Sequence, residues 1–139
     1  AAIDYKAGDI SGQLKALAPK GIDVIYDNVG GEVLDAMLAR LAIGARVVLC
    51  GGISRYEQGG KIAGPANYFN LILRRATMGG FIVLDHEAEW PAIRARLAAL
   101  ALAGRIKWQM DVVEGLENAP AALARLFTGA NRGKQVLRL

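Results

Sequence analysis

Residues 21–52 read GIDVIYDNVGGEVLDAMLARLAIGARVVLCGG, and this stretch decides the fold. Two short apolar runs within it, Ile22–Tyr26 and Arg46–Cys50, lead into glycine-rich turns and are typical of buried strands. Between them, apolar residues at helical spacing predict a helix from about Glu32 to Leu41 that Gly44 would end; these residues are Leu34, Met37, Leu38 and Leu41. A strand, a helical crossover and a second strand predict a unit with parallel strands.

The alternation of strands and helices continues on both sides of this unit. Upstream, Ile3–Tyr5 is interpreted as the end of a strand, and Asp9 is a good cap for a short helix. Downstream, the pattern predicts helices over 68–75, 85–104 and 116–127 and strands over 76–83, 106–113 and 135–139. The pattern therefore predicts an α/β fold: a doubly wound parallel sheet followed by a C-terminal strand–helix–strand.

The loop that usually holds phosphates in such a fold is missing from the sequence. A dinucleotide-binding sheet carries G-x-G-x-x-G between its first strand and helix, and no stretch matches this pattern. The glycine pairs at 51–52 and 59–60 have other spacings, and Gly129–Lys134 lacks both the spacing and the following helix of a P-loop. The residues therefore offer no recognisable turn for a pyrophosphate.

Composition excludes several classes of protein. The chain of 139 residues is 53% hydrophobic and has a formal net charge of +4 without a basic stripe, so we expect no nucleic-acid binding. Cys50 and His86 are its single cysteine and histidine, which excludes an internal disulfide and a four-cysteine zinc site. No signal peptide is visible and no apolar run reaches about 18 residues, so we expect a metal-free cytoplasmic protein that does not span a membrane.

The ends of the predicted strands indicate where a ligand would bind. In an open parallel sheet, ligands lie outside the carboxyl ends of the strands. If the predicted strands share one sheet, four such ends meet in one crevice. They are Tyr5, Asp27-Asn28, Cys50–Ile53 and Phe81–Val83.

Seven short motifs occur in order along the whole chain. They are Ile3–Lys6 (IDYK), Gly21–Gly31 (GIDVIYDNVGG), Cys50–Tyr56 (CGGISRY), Gly64–Tyr68 (GPANY), Gly80–Val83 (GFIV), Glu114–Pro120 (EGLENAP) and Gly129–Lys134 (GANRGK). With them the chain resembles the medium-chain dehydrogenase/reductase superfamily. Within it, the chain is similar to the zinc-independent leukotriene B4 12-hydroxydehydrogenase or prostaglandin/alkenal/curcumin reductase family, of which it resembles the C-terminal part.

The resemblance implies roles for the residues that match the family's motifs. Those implied to bind the cofactor NADP are Tyr5, Asn28, Cys50, Gly51, Gly52, Ile53, Ser54, Tyr56, Phe81, Ile82, Val83 and Asn131. Tyr5 would contact the adenosine phosphate region, the backbone of Phe81–Val83 would hydrogen-bond the carboxamide, and Asn131 would reach the cofactor from the C-terminal segment. No metal site is implied.

The implied reaction is hydride transfer from NADPH to the β-carbon of a small α,β-unsaturated aldehyde or ketone. Negative charge then develops on the carbonyl oxygen, and catalysis needs a hydrogen-bond donor aimed at that atom. Tyr56 is the candidate catalytic residue, with proton delivery from its hydroxyl or from water.

Each candidate also has a structural interpretation. Asn28 can cap the helix that starts near Gly30, Cys50 can be a small buried hydrophobe, and Asn131 can form a turn with Gly133. The remaining candidates can be packing or surface residues: Tyr5, Tyr56 and Phe81–Val83.

The resemblance also predicts how the chain is organised. Residues 1–106 would be a partial nucleotide-binding domain, a Rossmann-like doubly wound sheet that is incomplete because the glycine-rich turn is absent. Residues 107–139 would return to the catalytic domain of the parent protein. The first strands would be absent, which leaves a bare strand edge that pairs readily with other chains. We therefore expect no turnover from this chain alone and expect a homo-oligomer or swapped dimer. Two alternatives stay open: a non-catalytic association module, and a quinone- or alcohol-type reductase of the same superfamily.

Overall fold

The computed structural model describes residues 1–55 and 63–139. They divide into two compact units, residues 1–86 and residues 87–139. Both units contain parallel strands joined through helices, which confirms the predicted α/β class. The boundary predicted after residue 106 lies inside the second unit, and the assignment of residues 107–139 to the catalytic domain of a larger protein stays a prediction.

The first unit is built on a three-stranded parallel sheet. Its strands are β1 (Ile22–Asp27), β2 (Leu41–Leu49) and β3 (Thr77–Gly80), in the order β1-β2-β3. Its helices are α1 (Ile10–Leu17), α2 (Gly31–Leu38) and α3 (Asn70–Arg74). Short 3₁₀ segments cover Tyr5–Ala7, Ile53–Arg55 and Ala66–Phe69, and a longer one, Val83–Glu89, follows β3.

One face of this sheet forms the hydrophobic core. Ile25 of β1 and Val47 of β2 are opposite each other in the strand register, and both are buried. Leu34 and Leu38 of α2 pack on them, because their i, i+4 spacing places both side chains on one face of the helix. Leu71 of α3 packs against the same cluster.

The other face of the sheet remains open within the described residues. Side chains alternate along a strand, so Val24 and Tyr26 of β1 point away from the core, and they are 57% and 61% exposed. A doubly wound parallel sheet is covered on both faces. The described chain therefore supplies one of the two packed layers, which agrees with an incomplete sheet.

The prediction that a strand ends at Tyr5 is wrong. Tyr5–Ala7 forms a 3₁₀ turn, because the Asp4 carboxylate accepts the Lys6 N–H at 2.9 Å and bends the chain there. Tyr5 is therefore not at the end of a sheet strand.

The boundary between the central helix and the second strand also differs from the prediction. The helix α2 ends at Leu38, and Leu41 is already the first residue of β2. Gly44 does not end a helix; it lies within β2 with a left-handed φ of 73°. The β1–β2 register shifts between Ile22 and Val24, and a glycine in this conformation permits the resulting bulge.

The second unit contains the predicted C-terminal strand–helix–strand. Its elements are α4 (Trp90–Leu102), β4 (Met110–Glu114), the 3₁₀ turn Leu116–Asn118, α5 (Ala119–Thr128) and β5 (Lys134–Arg138). The strands β4 and β5 pair in parallel, with α5 as the crossover between them. Ala122 of α5 is 3% exposed and marks the small core of this unit.

Candidate functional site

A cleft of about 550 Å³ opens at the carboxyl ends of β1, β2 and β3. Parallel strands end on one side of a sheet, so the loops that follow them come together there. The volume is within the range of roughly 300–1,000 Å³ that small-molecule sites occupy. Its lining residues are Asp27, Gly30, Leu34, Leu49, Cys50, Gly51, Gly52, Gly64, Pro65, Met78, Gly80, Phe81 and Ile82.

Asp27 organises the turn between β1 and α2 on one side of the cleft. It is 2% exposed and is the one charged residue that is buried among those the structure describes. One carboxylate oxygen accepts the Val29 N–H at 3.2 Å, and the other accepts the Gly30 N–H at 2.9 Å. A side chain that bonds the backbone N–H groups two and three residues ahead fixes the turn that leads into the helix.

The loop after β2 is hydrogen-bonded to this turn. The Cys50 N–H donates to the Asp27 carbonyl at 2.8 Å, and the Ile53 N–H donates to the Asn28 carbonyl at 3.1 Å. Ser54 donates both its N–H, at 3.1 Å, and its hydroxyl, at 2.6 Å, to the Val29 carbonyl. The two loops therefore form one continuous wall of the cleft.

Two glycines allow this close approach. A Cβ atom on Gly51 would stand 2.9 Å from the Asn28 side-chain oxygen, and one on Gly31 would stand 2.9 Å from the Ser54 hydroxyl. Gly31 also has a left-handed φ of 58°, a conformation that glycine adopts without strain. Side chains at these positions would separate the loops.

The end of β3 forms the opposite wall. The Phe81 N–H donates to the Leu49 carbonyl at 2.9 Å and extends the pairing of β2 and β3 by one residue. The Ile82 carbonyl accepts the Asp85 N–H at 3.2 Å, and the Phe81 ring lies 5.0 Å from the His86 ring. Because the Phe81 N–H already donates to Leu49, a ligand in the cleft would have to hydrogen-bond other backbone groups of this segment.

Tyr26 interacts with Cys50, which lines the cleft. A hydrogen bond with the Cys50 side chain raises the pKa of the Tyr26 hydroxyl, and desolvation and the charge of the Cys50 thiolate raise it further. Cys50 is half-buried, not fully buried, so its interpretation as an ordinary core residue does not describe its surroundings.

The structure brings most of the predicted site residues of the first unit together. Cys50, Gly51, Gly52, Phe81 and Ile82 line the cleft. The supporting wall contains three more of them: Asn28, Ile53 and Ser54. Gly30, not Asn28, occupies the cap position of α2, so the capping interpretation of Asn28 is wrong. Val83 follows directly in the next 3₁₀ segment and is 51% exposed.

Two predicted residues lie away from this arrangement, and a third is outside the described part of the chain. Tyr5 is exposed in its 3₁₀ turn and does not line the cleft. Tyr56, the predicted catalytic residue, lies outside the described residues. Asn131 belongs to the second unit, where its side-chain amide donates to the Gly133 carbonyl at 2.8 Å. That bond agrees with the turn interpretation of Asn131.

Sequence reasoning missed several residues of the cleft. Asp27 was predicted only as a strand end, although an acidic residue shortly before Gly30 and Gly31 is typical of a side chain that fixes a turn. Met78 enters the lining because β3 ends at the cleft, and Gly64-Pro65 enters through the segment before α3.

Part of the cleft wall is glycine backbone that a ligand could approach closely. Glycine backbone lines its wall, and a Cβ atom on Gly64 or Gly80 would meet no other part of the described chain within 4 Å, so a flat ring can approach the backbone there. The residues that would hold a pyrophosphate, a glycine-rich turn ahead of a helix, are not in the sequence. The cleft therefore offers backbone against which a flat ring could lie, without a turn that would hold a pyrophosphate.

Neither a metal site nor a membrane span was found in the described part of the chain. Within residues 1–55 and 63–139, three or more histidine, cysteine, aspartate or glutamate side chains do not cluster as metal ligands would. In the same residues, none of the helices combines the length and apolar character that crossing a bilayer requires.

Comparison with known proteins links the whole chain to one family. A family profile described as zinc-binding dehydrogenase matches residues 1–137. The chain is 41% identical to a 2-alkenal reductase (NADP(+)-dependent) of Nicotiana tabacum, over 98% of this chain and 40% of that protein. It is 33% identical to the NADPH-dependent curcumin reductase of Escherichia coli (strain K12), over 99% of this chain and 41% of that protein.

A solved structure matches the fold over nearly the full length. The crystal structure of CurA in complex with NADPH from Vibrio vulnificus superposes with a TM-score of 0.86 at 38% identity, covering 98% of this chain and 42% of that one. The chain thus spans about two fifths of the length of the proteins that it matches.

Proposed function

Because the chain belongs to the zinc-binding dehydrogenase family, we propose that it is part of an NADPH-dependent oxidoreductase. The proposed reaction is reduction of the C=C bond of α,β-unsaturated aldehydes or ketones. Activity, cofactor and substrate are proposed for the whole protein, since this chain spans about two fifths of its relatives.

One observation carries the proposal. The cleft walls are built from the segments whose motifs resemble enone reductases, namely 27–31, 50–54 and 80–82. Proteins that match this chain over nearly all of its length are named as alkenal and curcumin reductases that use NADP(H). A glycine-lined cleft at the carboxyl ends of parallel strands is also where nucleotide ligands bind in this class of fold.

The residues of the cleft would bind and orient the nicotinamide half of NADPH. The backbone of Cys50–Gly52 forms one side of a flat slot, and the backbone after Phe81 forms the other. Ile82 adds an apolar side chain at the rim, which helps to exclude water from the reacting atoms. Tyr5 and Asn131 are proposed to contact other parts of the cofactor.

Bound NADPH supplies the hydride, which the β-carbon of the enone accepts, and a proton added to the α-carbon completes the saturated carbonyl compound. Tyr56 is proposed to donate a hydrogen bond to the carbonyl oxygen, where negative charge develops during the reaction. The polar wall around Asp27 and the apolar rim would hold the reactants in one orientation.

Several further properties are proposed with this function. Zinc would take no part in the reaction, the protein would work in the cytoplasm, and it would form a homo-oligomer or a swapped dimer. The present chain alone would bind cofactor poorly and show no turnover, because the pyrophosphate-binding turn belongs to the rest of the protein.

The test is a substrate panel with the full-length protein. We expect NADPH oxidation with alkenals and enones and much slower oxidation with quinones or saturated aldehydes. Tyr56→Phe should lower kcat roughly a hundredfold to a thousandfold, the usual effect of removing one donor to a developing oxyanion. Tyr68→Phe is the matched control, because Tyr68 is an exposed tyrosine that does not line the cleft, and it should leave kcat unchanged.

The other outcomes favour the alternatives. Turnover of quinones without turnover of enones would indicate a quinone-type reductase, for which a probable quinone oxidoreductase of Leishmania amazonensis at 33% identity is a precedent. Absence of both turnover and NADPH binding in the full-length protein would indicate an association module.

A further inference from the structure

We propose that Asp27 is a positioning residue for cofactor binding, which holds the two loops of the cleft wall at a fixed separation. The inference rests on the proposed function, since it concerns how these loops would receive the nicotinamide half of NADPH. Asp27 acts through the backbone of its neighbours, so it is not assigned a catalytic role.

The side chain of Asp27 fixes the first loop. Its two carboxylate oxygens accept the N–H groups of Val29 and Gly30 at 3.2 and 2.9 Å. These bonds set the chain direction at Gly30, where φ is 71°, and therefore set where α2 begins. Hydrogen bonds to an ionised acceptor are stronger than neutral ones, and a residue that is 2% exposed has little water to replace them.

The backbone of Asp27 fixes the second loop. Its carbonyl accepts the Cys50 N–H at 2.8 Å and the Gly51 N–H at 3.4 Å. A single residue thus bonds both the turn after β1 and the glycine loop after β2. A shift of Asp27 would move both loops together, and the slot between the glycine loop and the end of β3 would change its width.

Asp27 is assigned a positioning role because both of its carboxylate oxygens are already hydrogen-bonded. Each oxygen is directed at a backbone N–H of its own turn, so the residue shapes the wall instead of presenting a charge to the ligand. Loss of this arrangement should therefore weaken binding of the reduced and the oxidised cofactor by the same factor. A direct charge effect would act mainly on the oxidised form, whose ring is cationic.

The experiment uses the full-length protein with Asp27→Asn. Asparagine has nearly the same shape, and its side-chain oxygen can still accept one backbone N–H, but its NH2 group cannot accept the other. We expect the dissociation constants of NADPH and NADP⁺, measured by fluorescence titration, to rise together by roughly tenfold to a hundredfold. Hydrogen exchange at Val29, Gly30, Cys50 and Gly51 should become faster in the cofactor-free protein.

Asp35→Asn is the matched control. Asp35 lies on α2 and also accepts hydrogen bonds through its carboxylate, from the Asn67 backbone N–H at 2.8 Å and the Asn67 side-chain amide at 3.0 Å. It does not line the cleft. A general loss of stability would appear in both variants, whereas loss of cofactor affinity is expected only for Asp27→Asn.

A second variant tests the same coupling if Asp27→Asn does not fold. Ser54→Ala removes the hydroxyl that donates to the Val29 carbonyl at 2.6 Å and leaves Asp27 in place. The dissociation constants of NADPH and NADP⁺ should rise by the same factor in Ser54→Ala, and this factor should be smaller than in Asp27→Asn. Hydrogen exchange at Ile53 and Val29 should become faster. Wild-type cofactor affinity in both the Asp27 and Ser54 variants, or selective loss of NADP⁺ binding, would overturn the inference while leaving the proposed function intact. Failure of the wild-type protein to bind NADPH would overturn both.

Discussion

Arg125 donates two hydrogen bonds to the Asp111 carboxylate, at 2.7 and 3.2 Å, and so joins the last turn of α5 to the start of β4. The same carboxylate accepts the Arg132 N–H at 2.9 Å, and Arg125 also reaches the Ala130 carbonyl at 3.4 Å. These bonds hold the loop between α5 and β5 on both sides of Asn131. The geometry of this loop therefore depends on the charge of Asp111.

Protonation of Asp111 should release this loop at low pH. The Arg132 N–H lowers the pKa of Asp111 below its usual value of 3.8, and Arg125 lowers it further against the opposing effect of desolvation. A carboxyl whose folded pKa is lowered stabilises the fold fully above the unfolded pKa, and this stabilisation is lost as pH falls through the folded pKa. The free energies of unfolding in urea of wild type and Asp111→Asn should differ at neutral pH and converge as the pH falls through the lowered pKa of Asp111. A difference that does not change with pH would contradict this account.

Leu38 should be a major determinant of stability in the first unit. It is 0% exposed and packs in the cluster formed with Ile25 and Val47. Leu38→Ala should lower the free energy of unfolding by about 2–5 kcal/mol, because it removes buried contacts and leaves a cavity. Leu17→Ala is the control in an exposed position, 52% exposed, and should change it by about 0.5 kcal/mol or less. Chemical denaturation measures both, and equal losses would show that this core is wrongly assigned.

The Tyr26 hydroxyl should titrate at a lower pH once Cys50 is replaced. The hydrogen bond with Cys50 is the main cause that raises the pKa of Tyr26 in the folded protein. A raised folded pKa means that the associated stabilisation is present below the unfolded value of 10.0 and is lost as pH rises through the folded pKa. NMR titration of the tyrosine signals in wild type and Cys50→Ala measures the change in the pKa of Tyr26. The Tyr26 signal is assigned by its absence in Tyr26→Phe. An unchanged Tyr26 titration in Cys50→Ala would mean that the two side chains do not interact.

Gly21 should tolerate no side chain, in contrast to Gly79. Gly21 has a left-handed φ of 96°, and a Cβ atom there would stand 2.7 Å from the backbone nitrogen of Ala42. Gly21→Ala should therefore destabilise the fold by about 1–3 kcal/mol through backbone strain. Gly79→Ala places a methyl group where no atom lies within 4 Å, so its thermal unfolding should stay close to that of wild type. Similar melting temperatures for the two variants would argue against the close approach of Gly21 to the backbone at the start of β2.

The sequence predicted the elements well where local pattern and packing agree. The alternating apolar run at Ile22–Tyr26 and the helical spacing of Leu34 and Leu38 are signals that the buried face of the sheet requires, and both are present in the structure. Prediction from local sequence was wrong at two places where a single residue redirects the backbone. Asp4 turns the segment at Tyr5 into a 3₁₀ turn, and Gly44 permits a bulge in place of a helix end.

The location of the candidate site could be predicted from the sequence, but the hydrogen bonds within it could not. The convergence of strand ends follows from parallel topology, so Cys50–Gly52 and Phe81 were found. The role of Asp27 depends on partners that are backbone N–H groups, which carry no side-chain signature in the sequence. The burial of α4 was also not predictable from its apolar residues, since Ile93 and Leu97 are 46% and 50% exposed in the described chain.

The most direct test of the central claim is to follow the transferred hydrogen. The full-length protein would be given an enone and NADPH deuterated at the hydride position, and the product would be examined by NMR and mass spectrometry. We predict one deuterium on the β-carbon of a saturated ketone or aldehyde, with the carbonyl retained. Deuterium on the carbonyl carbon of an unsaturated alcohol, or no transfer at all, would contradict the assignment as an enone reductase.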